Sequence, residues 1–152
     1  MSWRQRLAEL GIELPAVPAP AGAYVPAVRT GNLVYTAGQV PFVDGVIAAT
    51  GKVGREISPE EAKQHARTCA LNALAAVDSV AGIDSVVRVV KVVGYVASAE
   101  GFTGQPAVLN GASELFGEIF GDAGRHARAA VGVAELPLGV PVEVELIVEV
   151  TP

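Results

Sequence analysis

The stretch "GRHARAAVGVAELPLGVPVEVELIVEV", Gly124 to Val150, decides the fold. Its second half alternates. Val142, Val144, Leu146, Val148 and Val150 fall on one face, and Glu143, Glu145 and Glu149 on the other, which is the period of a strand with one buried side. Ala127 to Leu136 reads as a second strand, with Arg128, Ala130, Gly132 and Ala134 on one face and Val131 and Val133 on the other. The "LPLG" between them predicts a closing hairpin. Arg128 is the exceptional residue of this run. Its guanidinium stays ionised, so a position away from water calls for an anionic partner, either a carboxylate of the chain or a ligand. In a hairpin the loop length sets the face: a two-residue loop at Pro137-Leu138 turns the glutamates towards Arg128, and a three-residue loop turns the valines there. An Arg128 ion pair with Glu143 or Glu145 is therefore one reading, and a ligand site is the other.

Working upstream, Pro106 to Phe120 carries Val108, Leu109, Ala112, Leu115, Phe116 and Ile119 at helical spacing, and Gly121 ends it. Val86 to Val96 is a β-branched run, expected to be a strand covered on both faces. Ser58-Pro59-Glu60-Glu61 opens the clearest helix, with Ser58 at the N-cap, Pro59 at the first position and Glu61 placed for a capping box. Ala62, Ala66, Cys69, Ala73, Val77 and Val80 form its apolar face, and Gly82 closes it. Tyr24 to Arg29 and Asn32 to Val40 read as two strands joined at Thr30-Gly31. Asp44-Gly45 marks a turn between Pro41 and Gly54, with room for one more short strand. At the start, Ser2 is placed to cap a short helix bearing Trp3, Leu7 and Leu10, ended by Gly11, before the Pro/Ala stretch "ELPAVPAPAGAY". The order β-β-(β)-α-β-α-β-β describes one α+β domain with two helices on one face of a sheet.

Composition narrows the function classes. Apolar residues make up 51% of the 152 and charged residues 18%, and mean hydropathy is +0.42. So small a domain has little interior for that much apolar surface, so part of it is expected in a subunit interface. Sixteen acidic against eleven basic residues give a net charge of −5. The basic footprint of a nucleic-acid binder is missing. Arg88 and Lys91 interrupt the apolar stretch from Val86 to Ala99, so no membrane span is expected. A single cysteine, Cys69, on the apolar helical face fits a core residue and a reducing, cytoplasmic setting. His65, His126 and Cys69 lack the spacing of metal ligands, and neither histidine accompanies a nucleophile motif. No glycine-rich phosphate loop is present.

These residues have a family resemblance. "HARAAVGVAELPLGVPVEVELIVEV" resembles the C-terminal signature of the YjgF/Rid family, the reactive-intermediate deaminases, also called L-PSP endoribonuclease-like. "AGAYVPAV", "GNLVYTAGQVP", "VKVVGYVASAEGF" and "NGASELFGEIFG" are similar to further segments of the family. The likeness runs from about Ala21 to Val150, so residues 1–20 read as an N-terminal extension and residues 21–152 as the family domain. The resemblance implies a chorismate-mutase-like α+β subunit, three of which assemble into a homotrimeric barrel with ligand clefts between subunits. It implies that Arg128 grips the carboxylate of a 2-imino acid, and that Glu143 holds the attacking water as general base. Tyr24, the backbone at Gly38, Asn110 and the position of Ala130 complete the cleft. No cofactor is implied. The implied reaction hydrolyses 2-aminoacrylate or 2-iminobutanoate to a 2-keto acid and ammonia. Two positions depart from the family's pattern: Ala130 stands where its deaminases often carry cysteine, and Ala37 where they carry serine. A trimeric carboxylate-binding protein without turnover is the alternative. Ribonuclease or translation-inhibitor activity comes third, against the acidic charge.

Overall fold

The computed structural model describes residues 1–152, in the order α1 (Trp3–Glu9), β1 (Ala27–Thr30), β2 (Leu33–Thr36), β3 (Phe42–Val43), β4 (Val46–Ile47), α2 (Pro59–Ala81), β5 (Val86–Ala97), α3 (Gln105–Phe120), β6 (Ala127–Val133) and β7 (Val142–Val150). The class is α+β, as the patterns imply. Five strands form one sheet in the order β1-β2-β7-β5-β6, and α2 and α3 pack on one of its faces. β3 and β4 make a separate hairpin. Its turn, Asp44 and Gly45, has φ of 51° and 77°, the paired positive values of a type I′ turn.

The expected closing hairpin does not exist. β5 lies between β6 and β7, running parallel to β6 and antiparallel to β7. Adjacency in sequence was misleading because β5, α3 and β6 form a crossover unit: α3 carries the chain back so that β6 aligns parallel to β5. The chain then passes over the end of β5, where the Ala97 N–H donates to the Pro141 carbonyl, before β7 enters the centre of the sheet. The loop-length question that was to orient the glutamates therefore has no physical counterpart.

The alternation itself is as read. Val142, Val144, Leu146, Val148 and Val150 are buried beneath the helices, and Glu143, Glu145 and Glu149 are half-buried on the opposite face. β5 departs from expectation on that face. Val89, Val92 and Val96 are buried, but Val87 is exposed and Val93 and Tyr95 only half-buried, so one subunit covers one side of this strand. The strand turn sits at Gly31-Asn32, one residue beyond the expected place, and Tyr24 lies before β1 rather than in it.

The helices form for local reasons. The Glu61 N–H donates to Ser58 Oγ (3.1 Å), Pro59 occupies the first turn, and Glu60 and Glu61 face the positive end of the helix dipole. Ala62, Ala66, Cys69, Ala73 and Val77 are buried as expected, and the buried surface is wider than that stripe, taking in Ala70 and every residue from Asn72 to Val77, whereas Val80 is 40% exposed in the last turn. Cys69 is fully buried, and burial pushes its thiol pKa up, which suits a core group. α3 buries all six of its expected apolar residues. It meets α2 at Gly111, where a Cβ would lie 2.0 Å from the Lys63 carbonyl oxygen, so only glycine permits this approach. Ser2 and Gln5 form a complete capping box for α1. That helix is tied down by Trp3, which donates to the Val86 carbonyl (2.7 Å) and meets the Phe120 ring edge-on at 5.0 Å.

Candidate active site

The sequence candidates fall into two groups. On β7, Glu143 faces away from the helices and lines a cleft of about 200 Å³ with Tyr24, Gly38, Pro18, Pro20 and Leu138. Gly38 makes room for the carboxylate, since a Cβ there would stand 2.8 Å from Glu143 Cδ. Tyr24 is 50% exposed, and its hydroxyl accepts from the Ala21 N–H. The pKa of Glu143 is raised, first by burial and second by the neighbouring charge of Glu145. Glu145 itself accepts a hydrogen bond from the Tyr95 hydroxyl, whose pKa is pushed up to about 12 mainly by that bond.

The second group surrounds Arg128. Gly94 on β5 points at Leu109 of α3, and Ala130 is its partner in register, so Ala130 and Arg128 both face the helices. Arg128 Nη1 donates to Asn110 Oδ1 (2.8 Å) and Ser113 Oγ (3.2 Å), and Nη2 donates to the Pro106 carbonyl (3.3 Å). No carboxylate pairs with it: Glu143 and Glu145 are absent from its surroundings, and the intrachain ion pair is not formed. Nε–H and one Nη2–H donate to no protein atom. Arg128 is thus a half-buried cation held only by neutral oxygens, with two donors left that match the spacing of a carboxylate's oxygens.

One subunit does not unite the two groups. Arg128 is in register with Val92, and Glu143 with Tyr95, three residues farther along β5 and on the other side of that strand. Standard strand spacings put their backbones on the order of 14 Å apart, and their side chains project from opposite faces of the sheet.

Sequence reasoning missed Ser113 and the covering strap. Ser113 Oγ lies 2.9 Å from His126 Nε2, so His126 does have a hydroxyl partner, contributed from a helix with no motif around it. Pro106, Asn110 and Ser113 recur at four and three residues, which was the available signal for one helical stripe. Pro18 to Ala21, in the Pro/Ala stretch, form a wall of the Glu143 cleft. No three His, Cys, Asp or Glu side chains cluster as a metal site, and no helix is long and apolar enough to cross a membrane.

Comparison with known proteins gives a consistent picture. The family model described as Endoribonuclease L-PSP matches residues 15–150. Protein TCP17 of Trypanosoma cruzi is 44% identical over 145 residues, covering 94% of this chain and 91% of its own length. A Dermatophagoides farinae protein named 2-iminobutanoate/2-iminopropanoate deaminase is 34% identical over 137 residues, covering 90% and 93%. The crystal structure of Atu1372 from Agrobacterium tumefaciens, of unknown function, superposes with a TM-score of 0.89 at 44% identity, covering 99% of this chain and 94% of that one.

Proposed function

We propose that this chain, which belongs to the Endoribonuclease L-PSP family, also called YjgF/Rid, is a deaminase of reactive imines. Its substrates are 2-imino and enamine acids of the 2-aminoacrylate and 2-iminobutanoate type, and its products are 2-keto acids and ammonia. The observation that carries the reading is Arg128, a cation with neutral acceptors only and two unused donors. A planar guanidinium binds a carboxylate through two parallel charge-assisted bonds, which fixes the adjacent imine carbon. The Dermatophagoides relative's name supports the same substrate class.

The remaining chemistry is light. An iminium carbon already attracts water, so the protein has to orient a water and take its proton. Glu143 is suited to that role, because its raised pKa makes the carboxylate a better base than an exposed glutamate. Since Glu143 and Arg128 leave opposite faces of one sheet, the reading includes a homotrimer in which a neighbouring copy supplies Glu143 to the Arg128 niche. The exposed Val28, Tyr35, Val87 and Val131 support such an assembly. In the N-terminal extension, Pro18 to Pro20 wall the Glu143 cleft, and α1 packs elsewhere, against Val86 and Phe120.

The test is keto-acid release from enzymatically generated 2-iminobutanoate, run on the parent protein and Arg128→Ala beside thermal melts. Activity in the parent, its loss in the variant and an unchanged melt are expected. Full activity in Arg128→Ala removes the assignment. Ala130, at the position where the family's deaminases often carry cysteine, favours a second reading as a carboxylate-binding protein. Calorimetric binding of 2-oxobutanoate with no turnover selects it.

A further inference from the structure

A second cavity lies beside the Glu143 cleft, between the Pro/Ala strap and the β3–β4 hairpin. It measures about 370 Å³, within the usual size of small-ligand pockets, about 300–1,000 Å³. Pro15, Val17 and Pro18 line it from the strap, Phe42 and Asp44 from the hairpin, and Asn72 from α2. Asn72 is only 1% exposed, and its Nδ2 donates to the carbonyls of Val40 (3.0 Å) and Phe42 (3.1 Å). Both amide hydrogens are spent, and since carbonyls only accept, the group cannot be turned over. Anchoring the hairpin therefore uses the nitrogen and leaves Oδ1 accepting from no group of the chain. No fully enclosed side-chain oxygen in the molecule lacks a partner, so Oδ1 must meet open space, and the space that Asn72 lines is this cavity.

Asp44 adds a charge. It sits in the hairpin turn at φ 51°, and its carboxylate pairs with no cation of the chain. No lysine, arginine or histidine lines the cavity. The walls are thus apolar, with one neutral acceptor inside and one anion at the turn, the reverse of the Arg128 niche. We propose that this cavity is a second binding site, one that takes an organic ammonium. Its N–H groups donate to Asn72 Oδ1 and towards the Asp44 carboxylate, and its hydrocarbon part lies among Pro15, Val17, Pro18 and Phe42. An ammonium has three donors and no acceptor, which suits two acceptors and no donor. Carboxylates, the class that Arg128 is suited to hold, are repelled here by Asp44. Pro18, Ala19 and Phe42 belong to the walls of both cavities, so an amine seated here steadies the partition that bounds the Glu143 cleft. The site uses neither Arg128 nor Glu143 and stands apart from the deaminase reading.

The experiment titrates phenethylammonium, and 3-phenylpropanoate as its anionic counterpart, into the parent, Asp44→Asn and Glu143→Gln, by calorimetry and NMR. Asparagine is at home at the positive φ of this turn, so Asp44→Asn removes the charge and keeps the hairpin. Asn72→Ala would strand two carbonyls, so Asn72 is read instead through its own side-chain amide resonances. One saturable amine site per chain is expected in the parent, shifting the resonances of Val17, Gly45 and the Asn72 amide, which phenylpropanoate leaves in place. Affinity should fall about tenfold in Asp44→Asn, the scale of one charge-assisted hydrogen bond, and stay within about threefold in Glu143→Gln. No saturable amine binding, or equal affinity in Asp44→Asn, overturns the proposal. Affinity lost in Glu143→Gln but kept in Asp44→Asn also overturns it, because the amine then sits in the neighbouring cleft. Phenylpropanoate shifting the same resonances as strongly as the amine does so too, since the cavity then takes hydrocarbon whatever its charge. Each of these results leaves the deaminase reading standing.

Discussion

Arg128 finds its oxygens because Pro106, Asn110 and Ser113 sit on one stripe of α3, at steps of four and three residues, directly over β6. A lysine at 128 keeps the charge but not the planar fork. Arg128→Lys is expected to weaken 2-oxobutanoate binding by about 1.5–3 kcal/mol, the scale of a hydrogen bond to a charged group, or roughly tenfold to 150-fold. Calorimetry reads this, and the melt should hardly move. Glu143 yields a pH prediction of opposite origin. Its pKa is raised in the folded state, so between the ordinary glutamate value, about 4.3, and that higher value the native state binds more protons than the unfolded one. Stability from this group is complete at low pH and is lost as pH rises through the raised value. Glu143→Gln should therefore match the parent's melting temperature below about pH 4 and exceed it near pH 7. Melts across that range check the sign. Period-two alternation made the faces of Glu143 and Arg128 individually legible. Their relation was not, because strand alternation says which side a residue takes and nothing about which strand lies beside it.

At the level of elements, α2 and α3 touch through Gly111 and the Lys63 carbonyl. Gly111→Ala places a methyl where backbone already stands, so α3 must move away from α2. Overpacking of this kind costs about 1–3 kcal/mol, measurable by urea denaturation. Asn110 is its neighbour and Ser113 lies two residues on, so the same substitution should also impair the Arg128 niche. The helices were legible because each carries its own punctuation: Ser58-Pro59 opens α2 and Gly82 closes it, and Gly121 closes α3. The misplaced hairpin shows where local signals end. "LPLG" looks like a turn between strands and does reverse the chain, with Leu138 at φ 62° and Gly139 at 70°. What it could not reveal is that the reversal clears an intervening strand.

The molecule as a whole leaves two surfaces open. β6 is an edge strand of seven residues containing neither lysine nor proline, and Val131 upon it is 44% exposed. The sheet face away from the helices carries Tyr35, Val93, Tyr95 and Ile147 with little cover from the subunit itself. Edges and faces of this kind are ordinarily masked by pairing. Light scattering is expected to give a trimer at micromolar concentration, and Val131→Lys to shift it towards monomer with imine hydrolysis lost in proportion. A parent protein that stays monomeric removes both the assembly and the shared cleft.

The position of β7 has a consequence for biosynthesis. The central strand is the last of the five to be made: β1 and β2 wait on one side, β5 and β6 on the other, with no strand yet between them. While the ribosome is still adding residues before Val142, the nascent chain holds two half-sheets with facing, unpaired edges. Such edges invite pairing with other chains. Cooperative folding must then follow synthesis of the valine-glutamate strand, and that strand inserts between partners at least 46 residues away along the chain. In ribosome-stalled chains, resistance to proteolysis should appear in one step only after β7 has cleared the exit tunnel. Stepwise protection from earlier stalls would mean that one half-sheet is stable alone.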